Sequence, residues 1–224
     1  MIEDRTADLG AGAAPEPVSS SSPFAGLGWV GPSLFDAPVG ARARAQRAMA
    51  DESAGPKLVV EADVFGPLGD WFAIAPGWSG RLPSGLLVAS VLPGRWLVIG
   101  QASDDRARVL DEVARVDPDR RAIDVSEARF VLRVFGPQTF QLLGACCALD
   151  VGPRRLEPDR VLTTLVAGAR CTLVREDLPA GPGGPETTSV LVIGARSHAW
   201  HVATALREAE PLTAVAARGF GAWR

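Results

Sequence analysis

Residues 85–100, GLLVASVLPGRWLVIG, place two apolar runs on either side of Pro93-Gly94. Runs rich in Val, Leu and Trp favour β-strands, and a Pro-Gly pair between them is a turn signal. The stretch therefore predicts a β-hairpin, which joins antiparallel strands.

The same hairpin-then-helix pattern recurs along the chain. Strands are predicted at residues 57–66, 122–125, 130–135 and 189–194, and a second hairpin at residues 161–174, turning at Gly168. Helices are predicted at residues 41–50, 103–116 (with Ser103 as N-cap), 137–150 and 195–210, from apolar spacing and capping residues. Repeated units of this kind predict an α+β fold with antiparallel sheets and packed helices, rather than a parallel sheet.

Composition divides the chain into four segments. Residues 1–23 are rich in Ala, Pro, Glu and Ser and predict a disordered leader. Residues 24–56 mix large apolar side chains with Gly and Pro, which favours an extended segment that contacts a partner. Residues 57–210 are expected to form the α+β domain, and residues 211–224 an apolar C-terminal tail.

Charge and motifs exclude several classes of protein. The 224 residues have a net charge of −3, which provides no basic surface for nucleic acid. No apolar run is long enough for a membrane helix, and the N-terminus does not resemble a secretory signal. Three cysteines without a CxxC pair predict reduced thiols, a cytoplasmic location and no metal site. Neither a GxGxxG nor a P-loop motif is present.

Groups for acid–base chemistry are scarce. Lys57 is the only lysine, tyrosine is absent, and His198 and His201 are the only histidines. Arginine, the other basic residue, does not donate protons near neutral pH. The sequence therefore offers few general acids or bases besides carboxylates, and we assign no catalytic residue.

Three arginines are candidates for binding a carboxylate of a ligand or partner. Arg129 and Arg133 are four residues apart on one predicted strand, an even separation that places both on the same sheet face, and Arg196 precedes the last helix. The alternatives are solvation at the surface or pairing within the chain with Asp124 or Glu127. Asp124 itself is expected to shape the turn around Ser126.

The remaining candidates favour packing or partner contact. His198 and His201 lie three residues apart, but no further ligand is near, so a polar surface is favoured over a metal site. Cys147 is expected to be a small apolar residue on a helix face. Trp96 and Trp200 are expected in the core, whereas Trp29 and Trp223, in irregular terminal segments, are predicted interface anchors.

The order of these features resembles the gamma subunit of heterotetrameric sarcosine oxidase, within the aminomethyltransferase-like, folate-binding fold group. The resemblance runs from about Phe24 to Ala209. Its best-fitting pieces are Asp124-Val125-Ser126, Ala128-Arg129, Gly136-Pro137, Leu142-Leu143, Cys147, Leu149-Asp150, Pro153, Thr164-Leu165 and Arg196-Ser197. The chain departs from the family pattern at Gly144–Ala148, Gly152, Asp159 and Thr163, which leaves open an N-methyl or secondary amino acid other than sarcosine as the substrate.

The resemblance implies an accessory subunit that is not itself catalytic, and the excess of Arg over Lys, with many Ala, Gly and Pro, favours a GC-rich bacterial genome. Such a chain would pack with alpha, beta and delta subunits of a flavoprotein complex that oxidises the amine and releases hydrogen peroxide with formaldehyde or methylene-tetrahydrofolate. FAD, FMN, NAD, zinc and tetrahydrofolate would belong to the partner subunits. The alternatives are a free-standing folate-binding or one-carbon-transfer protein and a scaffold domain without an enzyme context.

Overall fold

The computed structural model describes residues 48–101, 106–178 and 187–209. The described elements follow in chain order: β1 (Ala48–Asp51), β2 (Lys57–Glu61), α1 (Pro67–Phe72), β3 (Ser79–Arg81), β4 (Leu87–Leu92), β5 (Arg95–Ile99), α2 (Arg106–Val116), β6 (Arg121–Asp124), β7 (Arg129–Phe135), α3 (Thr139–Cys146), β8 (Val161–Val166), β9 (Ala169–Arg175), β10 (Ser189–Ala195), a 3₁₀ turn (Arg196–His198) and α4 (Ala199–Glu208).

These strands form two five-stranded sheets, in which every described pairing is antiparallel. Sheet I has the order β3-β4-β5-β2-β6, and sheet II has the order β1-β7-β10-β9-β8. The predicted α+β class is confirmed. The hairpin predicted at Pro93-Gly94 is β4–β5, and the hairpin predicted at Gly168 is β8–β9.

The two sheets face each other, and helices cover their outer faces. Alternation along β7 shows the arrangement: Val131 packs between the sheets with residues of sheet I such as Leu97, whereas Phe130 and Leu132 pack beneath α3 and α4. On the other side, α1 and α2 cover sheet I around Trp96. Side chains alternate between the two faces of each strand, and both faces are apolar and buried. The result is four layers: helices α1 and α2, sheet I, sheet II, and helices α3 and α4.

The fold contains an internal repeat with exchanged edge strands. The first half runs from β2 to α2 and the second from β7 to α4. Each half has the order strand, helix, three strands, helix. In each half the first strand pairs with the fourth, β2 with β5 and β7 with β10. The strand that precedes each half joins the sheet of the other half. β1 pairs with β7 of sheet II, and β6 pairs with β2 of sheet I. The two halves are therefore bound together by main-chain hydrogen bonds.

Several sequence expectations need correction. Ala48–Asp51 is a strand and not the end of a basic helix, because it pairs with β7 about 80 residues away. The described structure therefore includes a strand before Lys57, inside the segment assigned to partner contact. The predicted 57–66 strand ends at Glu61, the 137–150 helix covers only Thr139–Cys146, and α1 and β3 were not predicted.

Other expectations lie outside the described residues. These are the leader 1–23, the segment 24–47, the cap at Ser103, most of the loop 178–186, the tail 211–224, Trp29 and Trp223.

Candidate functional site

The described chain crosses between the sheets twice, and the two crossovers share two hydrogen bonds of the same kind, whereas the serine hydroxyl donates to Asp124 in one and to Val131 O in the other. In the second, Ser126 N and Oγ both donate to Asp124 Oδ1, at 2.8 and 2.6 Å, and Lys57 N donates to Ser126 Oγ at 2.9 Å. In the first, Ser53 N donates to Asp51 Oδ1 at 2.9 Å, and Val131 N donates to Ser53 Oγ at 3.0 Å. The turn around Ser126 that the sequence predicted is thus confirmed, and the Asp-x-Ser pattern occurs twice.

Charged side chains gather at the second crossover. Arg106 at the start of α2 lies 3.1 Å from Asp124 and 3.5 Å from Glu127, and Arg196 before α4 lies 3.4 Å from Glu127. We call Lys57, Arg106, Asp124, Glu127 and Arg196 the crossover cluster. Two members of this cluster lie where a helix begins: Arg106 at the start of α2 in the first repeat, and Arg196 just before α4 in the second.

Lys57 is the buried member of this cluster. Its side chain is fully enclosed, and Nζ donates to the carbonyl oxygens of Ser53 and Gly55, both at 2.6 Å. Burial lowers the pKa of Lys57 to about 8, against the opposing effect of Glu127 and Asp51, which raise it. An amine in this position binds the first crossover to the sheet and is not accessible to a substrate.

Asp124 is held in its ionised form. Burial raises its pKa, but the two hydrogen bonds from Ser126 and the charge of Arg106 outweigh this effect, so that the pKa lies below its usual value. A carboxylate of this kind is suited to fixing a turn and not to donating a proton.

The structure separates the three candidate arginines. Arg129 and Arg196 lie together at one end of sheet II, where Ala195 is opposite Arg129 and Arg196 N donates to Ala128 O at 2.9 Å. Arg196 also forms an ion pair with Glu127. Pairing of this arginine within the chain was the predicted alternative to binding a carboxylate of a ligand or partner. Arg129 is half-buried at the start of β7.

Arg133 is not available to a ligand or partner, contrary to expectation. It is 0% exposed between the sheets. Nε and Nη2 donate to the two carboxylate oxygens of Glu52 at 2.6 and 3.0 Å, Nη2 also donates to Glu176 at 2.9 Å, and Nη1 donates to Ser189 Oγ at 2.8 Å. Burial alone would lower the pKa of Arg133, but the two carboxylates raise it, and the guanidinium stays charged. The even spacing in sequence places Arg129 and Arg133 on the same sheet face. It could not reveal the carboxylates of Glu52 and Glu176, which are distant from Arg133 in sequence.

The thiols and histidines behave as packing or surface residues. Cys147 follows α3 in an extended conformation, not on the helix face as predicted, and burial raises its pKa to about 11. The ring nitrogen Nε2 of His201 lies 2.8 Å from Ala167 O, and His198 is exposed. Within the described ranges, no three metal-ligating side chains cluster, and no helix is long and apolar enough to cross a membrane.

The two tryptophans placed in the core have different environments. Trp96 is 1% exposed and packs against Phe72 with ring centroids 5.2 Å apart, as expected. Trp200 is 49% exposed on α4, which corrects the prediction. A helical pattern identifies an apolar stripe, but Trp200 lies outside the stripe that Val202 and Leu206 form beneath the helix.

Comparisons with known proteins identify the fold. No protein-family model matches the chain, and no curated protein matches it in sequence. A chain of heterotetrameric sarcosine oxidase from Corynebacterium sp. U-96, in complex with pyrrole 2-carboxylate, is similar in structure with a TM-score of 0.62 and 22% identity, over 84% of this chain and 93% of that chain.

The glycine cleavage system aminomethyltransferase T from Bartonella henselae is also similar, with a TM-score of 0.55 and 16% identity over 76% of this chain. The match covers 48% of the transferase, so the chain spans about half of that protein's length. The chain therefore has the α+β, aminomethyltransferase-like fold that it shares with a chain of a heterotetrameric sarcosine oxidase.

Proposed function

We propose that this chain is the accessory, gamma-type subunit of a heterotetrameric, flavin-dependent complex that oxidises an N-methyl or secondary amino acid. The products would be hydrogen peroxide and either formaldehyde or methylene-tetrahydrofolate. One observation carries the proposal. The similarity extends over 93% of a chain of the heterotetrameric oxidase but over only 48% of the transferase, so the oxidase chain is the better match in extent.

The buried and paired ionisable groups support a structural, non-catalytic role for this chain. Lys57 is enclosed, Arg133 is saturated by carboxylates, and Asp124 is committed to its turn. These groups hold the fold together, which leaves oxidation chemistry to the alpha, beta and delta subunits. By the same proposal FAD, FMN, NAD, zinc and tetrahydrofolate belong to those partners, and the complex works in the cytoplasm.

Co-expression tests the proposal. The full chain is expressed with an affinity tag together with the flavoprotein subunits of a sarcosine oxidase-type complex from the same organism. We expect all subunits to elute together at a fixed stoichiometry, with the flavin absorbance in the same peak. Elution of the chain alone, in the presence of folded flavoproteins, would overturn the proposal.

A free-standing folate-binding protein is the second candidate, and the likeness to an aminomethyltransferase favours it. In that case Arg129 and Arg196 would hold the glutamyl carboxylate of the ligand. Calorimetric titration of the isolated full chain with tetrahydrofolate separates the two candidates. The subunit proposal predicts no saturable heat, whereas tight binding with one site per chain would favour the folate-binding protein.

A further inference from the structure

Phe65, in the loop between β2 and α1, is 89% exposed, the highest value for a large apolar side chain among the described residues. An aromatic side chain exposed to this degree contributes nothing to the core. Large aromatic residues are the commonest anchors of protein interfaces.

The loop that presents Phe65 is held in place by its own backbone. Phe65 N donates to Asp63 Oδ1 at 3.0 Å, and Gly66 N donates to Asp63 O at 3.0 Å. The first turn of α1 packs tightly on the same loop, because a Cβ at Gly69 would lie only 1.9 Å from Val64 O. A preorganised loop loses little conformational entropy on binding.

A second apolar loop lies in contact with the first. Leu92, the last residue of β4 before the Pro93-Gly94 turn, is 54% exposed, and Ala62 N donates to Gly94 O at 3.1 Å. The two loops approach so closely that a Cβ at Gly94 would lie 2.6 Å from Ala62 O. We call Phe65 and Leu92, with the exposed Pro67 and Pro93, the Phe65 patch.

The charges beside the Phe65 patch indicate what covers it. Asp63 and Asp70, which lies in the first turn of α1, are both exposed acidic residues. The nearby Glu61 pairs with two arginines, Arg95 and Arg121, at 3.3 and 3.7 Å. Three carboxylates against two guanidinium groups leave a local charge of −1, and the two carboxylates without an ion pair among the described residues lie on the loop and first turn beside Phe65. This negative charge favours a basic partner surface and disfavours an anionic lipid surface.

We propose that the Phe65 patch is a docking surface for a partner protein that offers an apolar pocket bordered by arginine or lysine. This inference rests on the proposed function, under which the partner is a flavoprotein subunit of the complex. Phe65 fills the pocket, Leu92 extends the apolar contact, and Asp63 and Asp70 face the basic border. The contact lies on the sheet I side of the fold.

The test measures the affinity of the full chain for the co-purified flavoprotein subunits by biolayer interferometry. Four proteins are compared: the wild type, Phe65→Ser, Asp70→Lys and the control Leu165→Ser, which removes another half-exposed apolar side chain, on β8 of sheet II. We expect Phe65→Ser to weaken binding about thirty-fold and Asp70→Lys about five-fold, more so at low salt. Leu165→Ser should bind as the wild type does. Circular dichroism spectra should be unchanged in the three variants, because each side chain is exposed. The melting temperature should change only slightly, and most in Asp70→Lys, which places a positive charge in the first turn of α1.

The outcomes distinguish this inference from the proposed function. If the wild-type chain binds and Phe65→Ser binds equally well, the docking surface is overturned and the proposed function stands. If the wild-type chain does not bind the flavoproteins, the proposed function falls. A dimer of the isolated chain that Phe65→Ser dissociates, seen by light scattering, would make a second copy the occupant and overturn the partner proposed above.

Discussion

Ser53 and Ser126 occupy equivalent positions in the two crossovers, and each hydroxyl oxygen accepts a main-chain hydrogen bond from the sheet of the other half. The donors are Val131 N at 3.0 Å and Lys57 N at 2.9 Å. Both serines are buried. The exchanged strands β1 and β6 are thus locked at corresponding points, and the integrity of the fold depends on both.

Removing either hydroxyl should destabilise the whole fold. Ser53→Ala or Ser126→Ala leaves a buried N–H without its acceptor, which costs about 1–3 kcal/mol of unfolding free energy. Denaturant titration followed by circular dichroism measures this loss. Ser84→Ala, at an exposed loop position, is the matched control and should change stability by less than about 0.5 kcal/mol. Equal stability of all three variants would show that the crossovers are not locked by these serines.

Replacing Arg133 should be the most damaging of these substitutions. Arg133→Leu leaves the largely buried carboxylate of Glu52 without its guanidinium partner and leaves Glu176 paired with Arg81 alone. Breaking a buried pair on one side typically costs about 3–5 kcal/mol. Adding Glu52→Gln and Glu176→Gln should recover part of the stability, because the carboxylates that lost the Arg133 guanidinium are neutralised. The control Arg121→Leu, whose side chain is 73% exposed, should be nearly neutral. A loss below about 1 kcal/mol for Arg133→Leu would contradict this network.

Lys57 should give the protein an unusual alkaline stability profile. Its pKa is about 8 in the folded protein against 10.5 in the unfolded chain, so between these values the unfolded state binds more protons. Stability therefore rises with pH across this window, by up to roughly 3 kcal/mol. Because buried thiols act in the opposite sense at higher pH, the quantity to measure is the difference between wild type and Lys57→Met. That difference should grow in favour of the wild type from pH 8 to 10, and a constant difference would refute the assignment.

Two glycine substitutions should have opposite effects. A Cβ at Gly194 on β10 would lie 2.6 Å from Phe130 Cε1 and 3.1 Å from Cys171 Sγ, so Gly194→Ala should cost about 1–3 kcal/mol through overpacking. Gly144 lies within α3, where a Cβ meets nothing within 4 Å, so Gly144→Ala should stabilise by about 0.5–1 kcal/mol. Thermal melts of both variants test the packing of α3, α4 and sheet II in one comparison.

The sequence predicted the elements whose signals are local. The hairpins at Pro93-Gly94 and Gly168 have turn residues between apolar runs, and the structure places both turns there. Each of these glycines has a positive φ, 69° and 80°, which explains why glycine occupies the turn. The Asp124-x-Ser126 turn was also predictable, because its hydrogen bonds join residues two apart.

The features that could not be predicted from the sequence depend on contacts between residues far apart in the chain. Residues 48–50 have the composition of a helix, but pairing with β7 makes them a strand. The neutralisation of Arg133 by Glu52 and Glu176 joins positions 81 and 43 residues away. The first crossover repeats the Asp-x-Ser pattern at Asp51 and Ser53, and this repetition was the one signal in the sequence that could have revealed the exchanged strands.

Native mass spectrometry of the complex co-expressed with the flavoprotein subunits tests the proposed subunit role most directly. We expect one copy of this chain in each assembly, retained when the flavins are bound and depleted when Phe65→Ser replaces the wild type. Assemblies of the flavoprotein subunits that form without this chain, while it remains a monomer in the same solution, would show that it is not a subunit of the complex.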